Sequence, residues 1–284
     1  MILVADSGAT KTDWCLLSEN GKKSFFQTQG LNPSYVSDFQ VFYNEFTKLQ
    51  SWVGRFDDVE KIYFYGAGCS TIEACQKIQT LGNKYFTKAE TLVFTDMFGA
   101  CRAVCGNKDG IVGILGTGSN SCVYKDSKIT ENIPSVGYML GDEGSGTYIG
   151  KNLLKKYLTG FMPEELANAF AKKLPWSRAE FLDRIYHQAA PNQLFKSITP
   201  FAVEHKDHPF IKNLVKDCFC DFFENQIVKY KNYNTYNLYF VGSVAFLFAN
   251  ELAECATKHN LQITDIQRSP IEGLSEFHLK NEKR

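Results

Sequence analysis

The chain has 284 residues, with 31 basic and 31 acidic side chains and a formal net charge of zero. That balance argues against a general binder of nucleic acid or anionic membrane, which carries a basic surplus. The 44% apolar and 22% charged residues are those of a soluble globular protein, and 23 Phe with 14 Tyr supply a sizeable core. The length suits one large domain or two mid-sized ones. At the start, Met1-Ile2-Leu3-Val4-Ala5 is apolar but Asp6 ends the run, short of the roughly 7–15 apolar residues of a signal peptide. No stretch of about 20 apolar residues exists to span a bilayer. The nine cysteines include no C-x2-C pair and read as reduced, buried thiols of a cytoplasmic protein. Cys101 and Cys105 would share a helical face, but two ligands without a second pair make a poor metal site.

Residues Ile2–Ala5 form a short buried strand in this reading, followed by the polar turn Asp6-Ser7-Gly8-Ala9-Thr10-Lys11-Thr12-Asp13 and a second strand, Trp14–Leu17. Asn20-Gly21 makes a hairpin turn into a third strand, Ser24–Thr28. A helix follows over about Tyr35–Val53, where Phe39, Phe42, Tyr43, Phe46 and Leu49 recur at helical spacing. Lys61–Tyr65 is a strand, Ser70–Tyr85 a helix, Leu92–Thr95 a strand and Met97–Cys105 a short helix. The order then begins again. Ile111–Leu115, Ser121–Tyr124 and Lys128–Ile133 are strands, a helix-rich stretch covers about Ser145–Tyr230, and Leu238–Val241 is a strand. Ala245–His259 is a helix, Ile263–Ile266 a strand, and a terminal helix starts near Pro270. The second half repeats the first with helices inserted, and no repeat of 20–50 residues marks a solenoid.

Each half opens with a hairpin whose turn is rich in Gly, Thr and Ser: DSGAT at 6–10 and GTGSN at 116–120. Either could be a plain tight turn. Both are long enough to expose several backbone N–H groups, a nest that suits a phosphate. Their equivalent places in a duplicated pattern favour two nests that clamp the phosphates of one nucleotide. Asp96 closes an apolar strand and precedes a helix, where it could cap the helix or present a carboxylate to a substrate.

This arrangement resembles the actin, sugar kinase and Hsp70 superfamily, a duplicated ribonuclease H-like α/β fold with two lobes around a nucleotide cleft. More closely it resembles the BadF/BadG/BcrA/BcrD ATPase family, which includes N-acetylglucosamine kinase. DSGATKTD at 6–13 resembles that family's first phosphate loop, and TD at 95–96 its kinase aspartate. ILGTGSN at 114–120 resembles the second phosphate loop, GDEGS at 141–145 the sugar-binding and helix-opening motif, and FVGSVA at 240–245 the adenosine motif. The match spans nearly the whole chain, and the motifs are specific in this order and spacing.

The resemblance implies an ATP-dependent kinase with Mg²⁺. Asp6 would hold the Mg²⁺ through waters. Gly8, Ala9, Thr10 and Lys11, with Gly116, Thr117 and Gly118, would bind the phosphates. Asp96 would serve as general base and touch the sugar, Asn32, Val136, Gly137 and Asp142 would line the sugar site, and Gly242 and Ser243 would admit the adenosine. Vertebrate N-acetylglucosamine kinases resemble GGWGHMMGDEGS here, whereas this chain has Val136 for the tryptophan and Tyr138 for the histidine. The pocket for the sugar's 2-substituent therefore differs. The zinc-binding cysteine cluster of ROK-type kinases is absent from the sequence.

The expected function is phosphorylation of an amino sugar, N-acetylglucosamine or a relative such as glucosamine or N-acetylmuramic acid, at the 6-hydroxyl. The alternatives are an ATPase that gates electron transfer to a 2-hydroxyacyl-CoA dehydratase and a non-catalytic sugar sensor. The first lobe is expected over 1–106 with 268–284 packing back on it, and the second over 107–267. The expected partner beyond the sugar is a second copy in a cytoplasmic homodimer, with no nucleic acid or membrane.

Overall fold

The computed structural model describes residues 1–8, 10–33, 39–54, 56–187 and 191–282, with backbone alone for 39–42 and 56. The chain divides into two compact units. The first comprises 1–108, 125–129 and 269–284, and the second 109–124 and 130–268.

In the first unit, β1 (Ile2–Ser7), β2 (Lys11–Leu17) and β3 (Lys23–Gln29) run as an antiparallel meander. Helix α1 (Phe39–Val53), β4 (Lys61–Gly66), α2 (Ile72–Tyr85), β5 (Glu90–Thr95) and α3 (Asp96–Cys105) follow. The sheet order is β3-β2-β1-β4-β5, with β4 and β5 parallel to β1. β1 is therefore central and covered on both faces, which is why it reads as an unbroken apolar run. Its side chains alternate between two cores. Leu3 and Ala5 join Trp14, Phe46, Phe64 and Phe86, while Val4 joins Cys15, Tyr63 and Tyr65.

The second unit repeats this plan. β6 (Gly110–Leu115), β7 (Ser119–Lys125) and β8 (Lys128–Asn132) form its meander. The inserted helices are α4 (Gly137–Leu140), α5 (Gly146–Leu158), α6 (Glu164–Lys173), α7 (Arg178–Tyr186), α8 (Pro191–Glu204) and α9 (Pro209–Asn225). Then come β9 (Leu238–Val241), α10 (Ser243–Leu247), α11 (Ala249–Lys258) and β10 (Ile263–Gln267). The sheet order, β10-β9-β6-β7-β8, matches the first sheet strand for strand when read in reverse. Helix α12 (Ile271–Asn281) returns to the first unit, where Ile271 and Leu274 enter the core of Val4 and Tyr65. The expected α/β duplication is thus observed.

Two expectations are corrected. The single helix over 245–259 is two, α10 and α11, because Phe248 leaves helical geometry (φ −119°, ψ 37°) and is buried. The nine cysteines are not all free thiols: Cys220 of α9 and Cys255 of α11 form a disulfide with their Cα atoms 5.7 Å apart. Their separation of 35 residues gives no spacing signal, since helix–helix packing alone brings them together. Cys101 and Cys105 are buried. Among the described residues no helix is long and apolar enough to cross a membrane.

Candidate active site

The first unit gathers its acidic residues at one end of the sheet. Asp6 and Asp13 are direct partners in the β1–β2 ladder, and Tyr65 is the β4 partner of Asp6. Withdrawal from water pushes the Asp6 carboxyl up to about 7, and the Asp13 and Asp96 charges push the same way. Lys11 opposes this but is itself occupied, with Nζ 2.7 Å from Asp13 Oδ2. Asp13 also accepts from Gln27 Nε2 at 2.6 Å and Ser269 Oγ at 3.4 Å.

The turn between β1 and β2 closes with Gly8 N–H donating to the Lys11 carbonyl at 2.9 Å. Ser7 and Thr12 hydroxyls meet beneath it at 2.7 Å, and Ser7 Oγ accepts from Leu31 N–H at 3.0 Å. Gly30 N–H donates to the Thr10 carbonyl at 3.1 Å. These bonds lace the 30–33 loop to the first turn and hold buried Asn32 beside it. A Cβ on Gly8 would come no nearer than 3.7 Å to any atom, so packing alone does not demand glycine there. Ala9 lies outside the described residues.

Asp96 is the first residue of α3, directly after β5. The helix cap is Thr95, whose Oγ1 accepts from Phe98 N–H at 3.2 Å. Asp96 Oδ1 accepts from Met97 N–H at 2.9 Å, and burial raises the carboxyl's pKa against that bond. The capping role that the sequence left open for Asp96 thus belongs to its neighbour. α3 lies close on β4 because Gly99 has no side chain: a Cβ there would stand 2.8 Å from Tyr65 Cβ. Arg102 Nη1 donates to the Tyr65 hydroxyl at 2.6 Å, and that hydroxyl is 2.9 Å from His278 Nε2 of α12. Burial first and Arg102 second lower the His278 pKa to about 4, so the ring is neutral at pH 7.

In the second unit the β6–β7 turn is Gly116-Thr117-Gly118, with Thr117 exposed. Nothing would approach a Cβ on Gly116 within 4 Å. Asp142, in left-handed geometry (φ 59°), turns its carboxylate onto this turn. Its Oδ1 accepts from Ser135 Oγ at 3.1 Å and lies 3.5 Å from Ser119 N–H. Burial raises its pKa, opposed by those two bonds and by Lys151. Val136 is 59% exposed at the start of α4, and Gly137 is left-handed at φ 74°. Gly242 (φ 129°) is required by packing alone, since a Cβ would stand 2.2 Å from the Leu115 carbonyl oxygen. Ser243 opens α10 beside it and is exposed.

Sequence reasoning missed Asp13 as the charge opposite Asp6, Thr95 as the cap, and Ser135 as a partner of Asp142. Asp13 had a signal, being seven residues beyond Asp6 across a short hairpin. Ser135 had none.

No family profile and no curated protein sequence matches the chain. Solved structures do. A candidate N-acetylglucosamine kinase from Porphyromonas gingivalis is 35% identical with a TM-score of 0.92, over 99% of this chain and 100% of that one. A candidate N-acetylglucosamine kinase from Chromobacterium violaceum shares the fold at a TM-score of 0.73 and 15% identity, over 97% and 98% of the two chains. A ROK family glucokinase from Streptomyces griseus, in complex with glucose and AMPPNP, shares it at 0.60 and 13% identity, over 100% and 99%. Identity of that order over the whole length of the Porphyromonas protein, on a duplicated two-unit fold of the actin-like ATPase type, means that this chain belongs to the sugar kinases.

Proposed function

We propose that this sugar kinase transfers the γ-phosphoryl of ATP to the 6-hydroxyl of an amino sugar, N-acetylglucosamine or a close relative, and that it lies in the BadF/BadG/BcrA/BcrD branch. The name carried by the Porphyromonas relative supports the substrate class. The observation that carries the reaction is the state of Asp96. Its carboxyl is relieved of capping by Thr95, is withdrawn from water, and is near enough to Asp6 to raise that residue's pKa. A carboxylate with a raised pKa at a strand end is a suitable acceptor for a sugar hydroxyl proton.

Gly8 and Gly116 support phosphate binding, because neither is a glycine that packing requires. Room at a glycine lets a phosphate approach the backbone of its turn. Thr10, Lys11, Thr117 and Gly118 complete the two loops. Asp6 fits Mg²⁺: a carboxyl raised by burial and two like charges would be relieved by a cation. Bound there, Mg²⁺ would neutralise phosphate charge. Asn32, Val136, Gly137 and Asp142 contact the sugar in this reading, and Gly242 and Ser243 the adenosine. Cys101 and Cys105 are packed into the first unit's core, which disfavours that pair as the cluster ligands of the electron-gating alternative. The enzyme works as a cytoplasmic homodimer.

A panel of amino sugars, with glucose as control, assayed with MgATP and coupled to ADP release tests this. Sugar-dependent ADP release that is greatest for an N-acetylated or free 2-amino sugar is expected. Release independent of any sugar, or preferring glucose, would overturn it.

A further inference from the structure

The first turn of α5 is fastened to the β6–β7 turn by three hydrogen bonds. Gly146 N–H donates to the Gly116 carbonyl at 2.9 Å, and Thr147 N–H donates to the Thr117 carbonyl at 3.2 Å. Thr147 Oγ1 donates to that same Thr117 carbonyl at 2.7 Å. Thr147 is 2% exposed, so its hydroxyl is sealed from water and cannot exchange this acceptor for solvent.

These bonds fix the direction of the opposite groups. A trans peptide is planar, and its C=O and the following N–H point in opposite directions. With the Gly116 carbonyl held toward α5, the Thr117 N–H points away from α5. With the Thr117 carbonyl held there too, so does the Gly118 N–H. Among the described residues neither N–H has a protein acceptor, whereas the next one, Ser119 N–H, is turned to Asp142. A further bond extends the chain of control. Thr199 Oγ1 of α8 donates to the Gly146 carbonyl at 2.7 Å, and by the same planarity this aims Thr147 N–H at the Thr117 carbonyl. The approach leaves little room at Gly146, where a Cβ would stand 3.2 Å from Thr199 Oγ1 and 3.4 Å from the Gly116 carbonyl oxygen.

We infer that Thr147, aided by Thr199, is a positioning residue that orients the Gly118 N–H group to receive the nucleotide's phosphates. The inference rests on the proposed role of this turn in ATP binding. Thr147 itself touches no phosphate. It acts by preventing the Thr117–Gly118 peptide from flipping, which would aim a carbonyl oxygen at the phosphate instead of a donor.

The test compares Thr147→Val, which keeps the shape and loses the hydroxyl, with Thr147→Ser, which keeps the hydroxyl. Binding of MgAMPPNP and of the sugar is measured by calorimetry beside the melting temperature. The Val variant should bind MgAMPPNP about five- to tenfold more weakly, the scale of one hydrogen bond, with sugar affinity unchanged and Ser restoring the nucleotide affinity. Equal loss in Val and Ser, or equal loss for sugar and nucleotide, would mean that Thr147 serves packing only and would overturn the inference. Unchanged binding in a folded Val variant would overturn it too. If Thr147→Val does not fold, Thr199→Val decides: a nucleotide-selective weakening supports the relay, and unchanged affinity removes it. Wild-type protein that binds no MgAMPPNP would instead refute the proposed function, and the inference with it.

Discussion

Asp6 and Asp13 stand directly opposite each other on neighbouring strands of one antiparallel ladder. Like charges in that relationship are destabilising, and Asp6 carries the cost because it is the more withdrawn of the two. Its pKa is raised from an ordinary 3.8 to about 7. A carboxyl raised in the folded state contributes stability that is fully present below about 3.8 and is lost as pH rises through about 7. Asp6→Asn should therefore stabilise the protein above pH 7, on the order of 1–3 kcal/mol, with no difference near pH 3.5. Chemical denaturation at the two pH values measures this. Equal gains at both would show that packing, not charge, limits the site.

Asp96 and Thr95 divide two tasks that the sequence alone runs together. Asp96→Asn should lower kcat at least about 10²-fold and leave the melting temperature near wild type. Thr95→Ala should cost about 1 kcal/mol of stability through the lost cap with a much smaller effect on kcat. Near-normal kcat in Asp96→Asn would remove the general base.

Glycines set a contrast between packing and binding. A Cβ on Gly150 of α5 would stand 2.0 Å from the Phe195 carbonyl oxygen of α8, a backbone atom that cannot step aside. Gly150→Ala should destabilise by roughly 3 kcal/mol or more. Gly116→Ala meets nothing within 4 Å. It should melt normally and bind MgATP about tenfold more weakly, because the new methyl occupies the phosphate's approach. Melting curves and calorimetry on both variants separate the two cases.

His278 gives the fold an acid-sensitive joint. Its pKa falls from 6.5 to about 4. A depressed histidine contributes stability that is present above about 6.5 and lost as pH falls through about 4. The wild type should lose on the order of 2 kcal/mol between pH 7 and pH 4.5 from this group. His278→Gln should flatten that loss while lowering stability at pH 7, since the Tyr65 hydroxyl loses its fitted hydrogen-bond partner. An undiminished acid loss in the variant would assign the effect elsewhere.

The elements that could be read from the sequence share a cause. β1 and β6 are apolar runs cut by polar, glycine-bearing turns, and the same punctuation twice exposes the duplication. Asp6 and Asp96 stand out because each ends an apolar strand. What stayed hidden depends on contacts between distant segments. Thr95 and Asp96 are adjacent and both are residue types that cap helices, and only the folded geometry separates them. Phe248 looks like one more apolar residue in a helix until the core draws it out of helical geometry. Cys220 finds Cys255 through the packing of α9 on α11. Thr147 reads as an ordinary residue of a helix's first turn, because its acceptor lies thirty residues earlier.

The return of α12 to the first unit makes that unit discontinuous along the chain. Its sheet ends at β5, yet the Tyr65 hydroxyl waits for His278, and Lys61 for Glu282 at 2.8 Å. During synthesis those partners emerge only after the whole of the second unit. Contacts spanning more than 200 residues form slowly, because a long loop must close before they reward it. The second unit, nearly continuous from 109 to 268, can complete its core first. The first unit then spends the interval with the part of its core that Ile271 and Leu274 fill left uncovered, and that face is where a nascent chain would attract chaperones or aggregate.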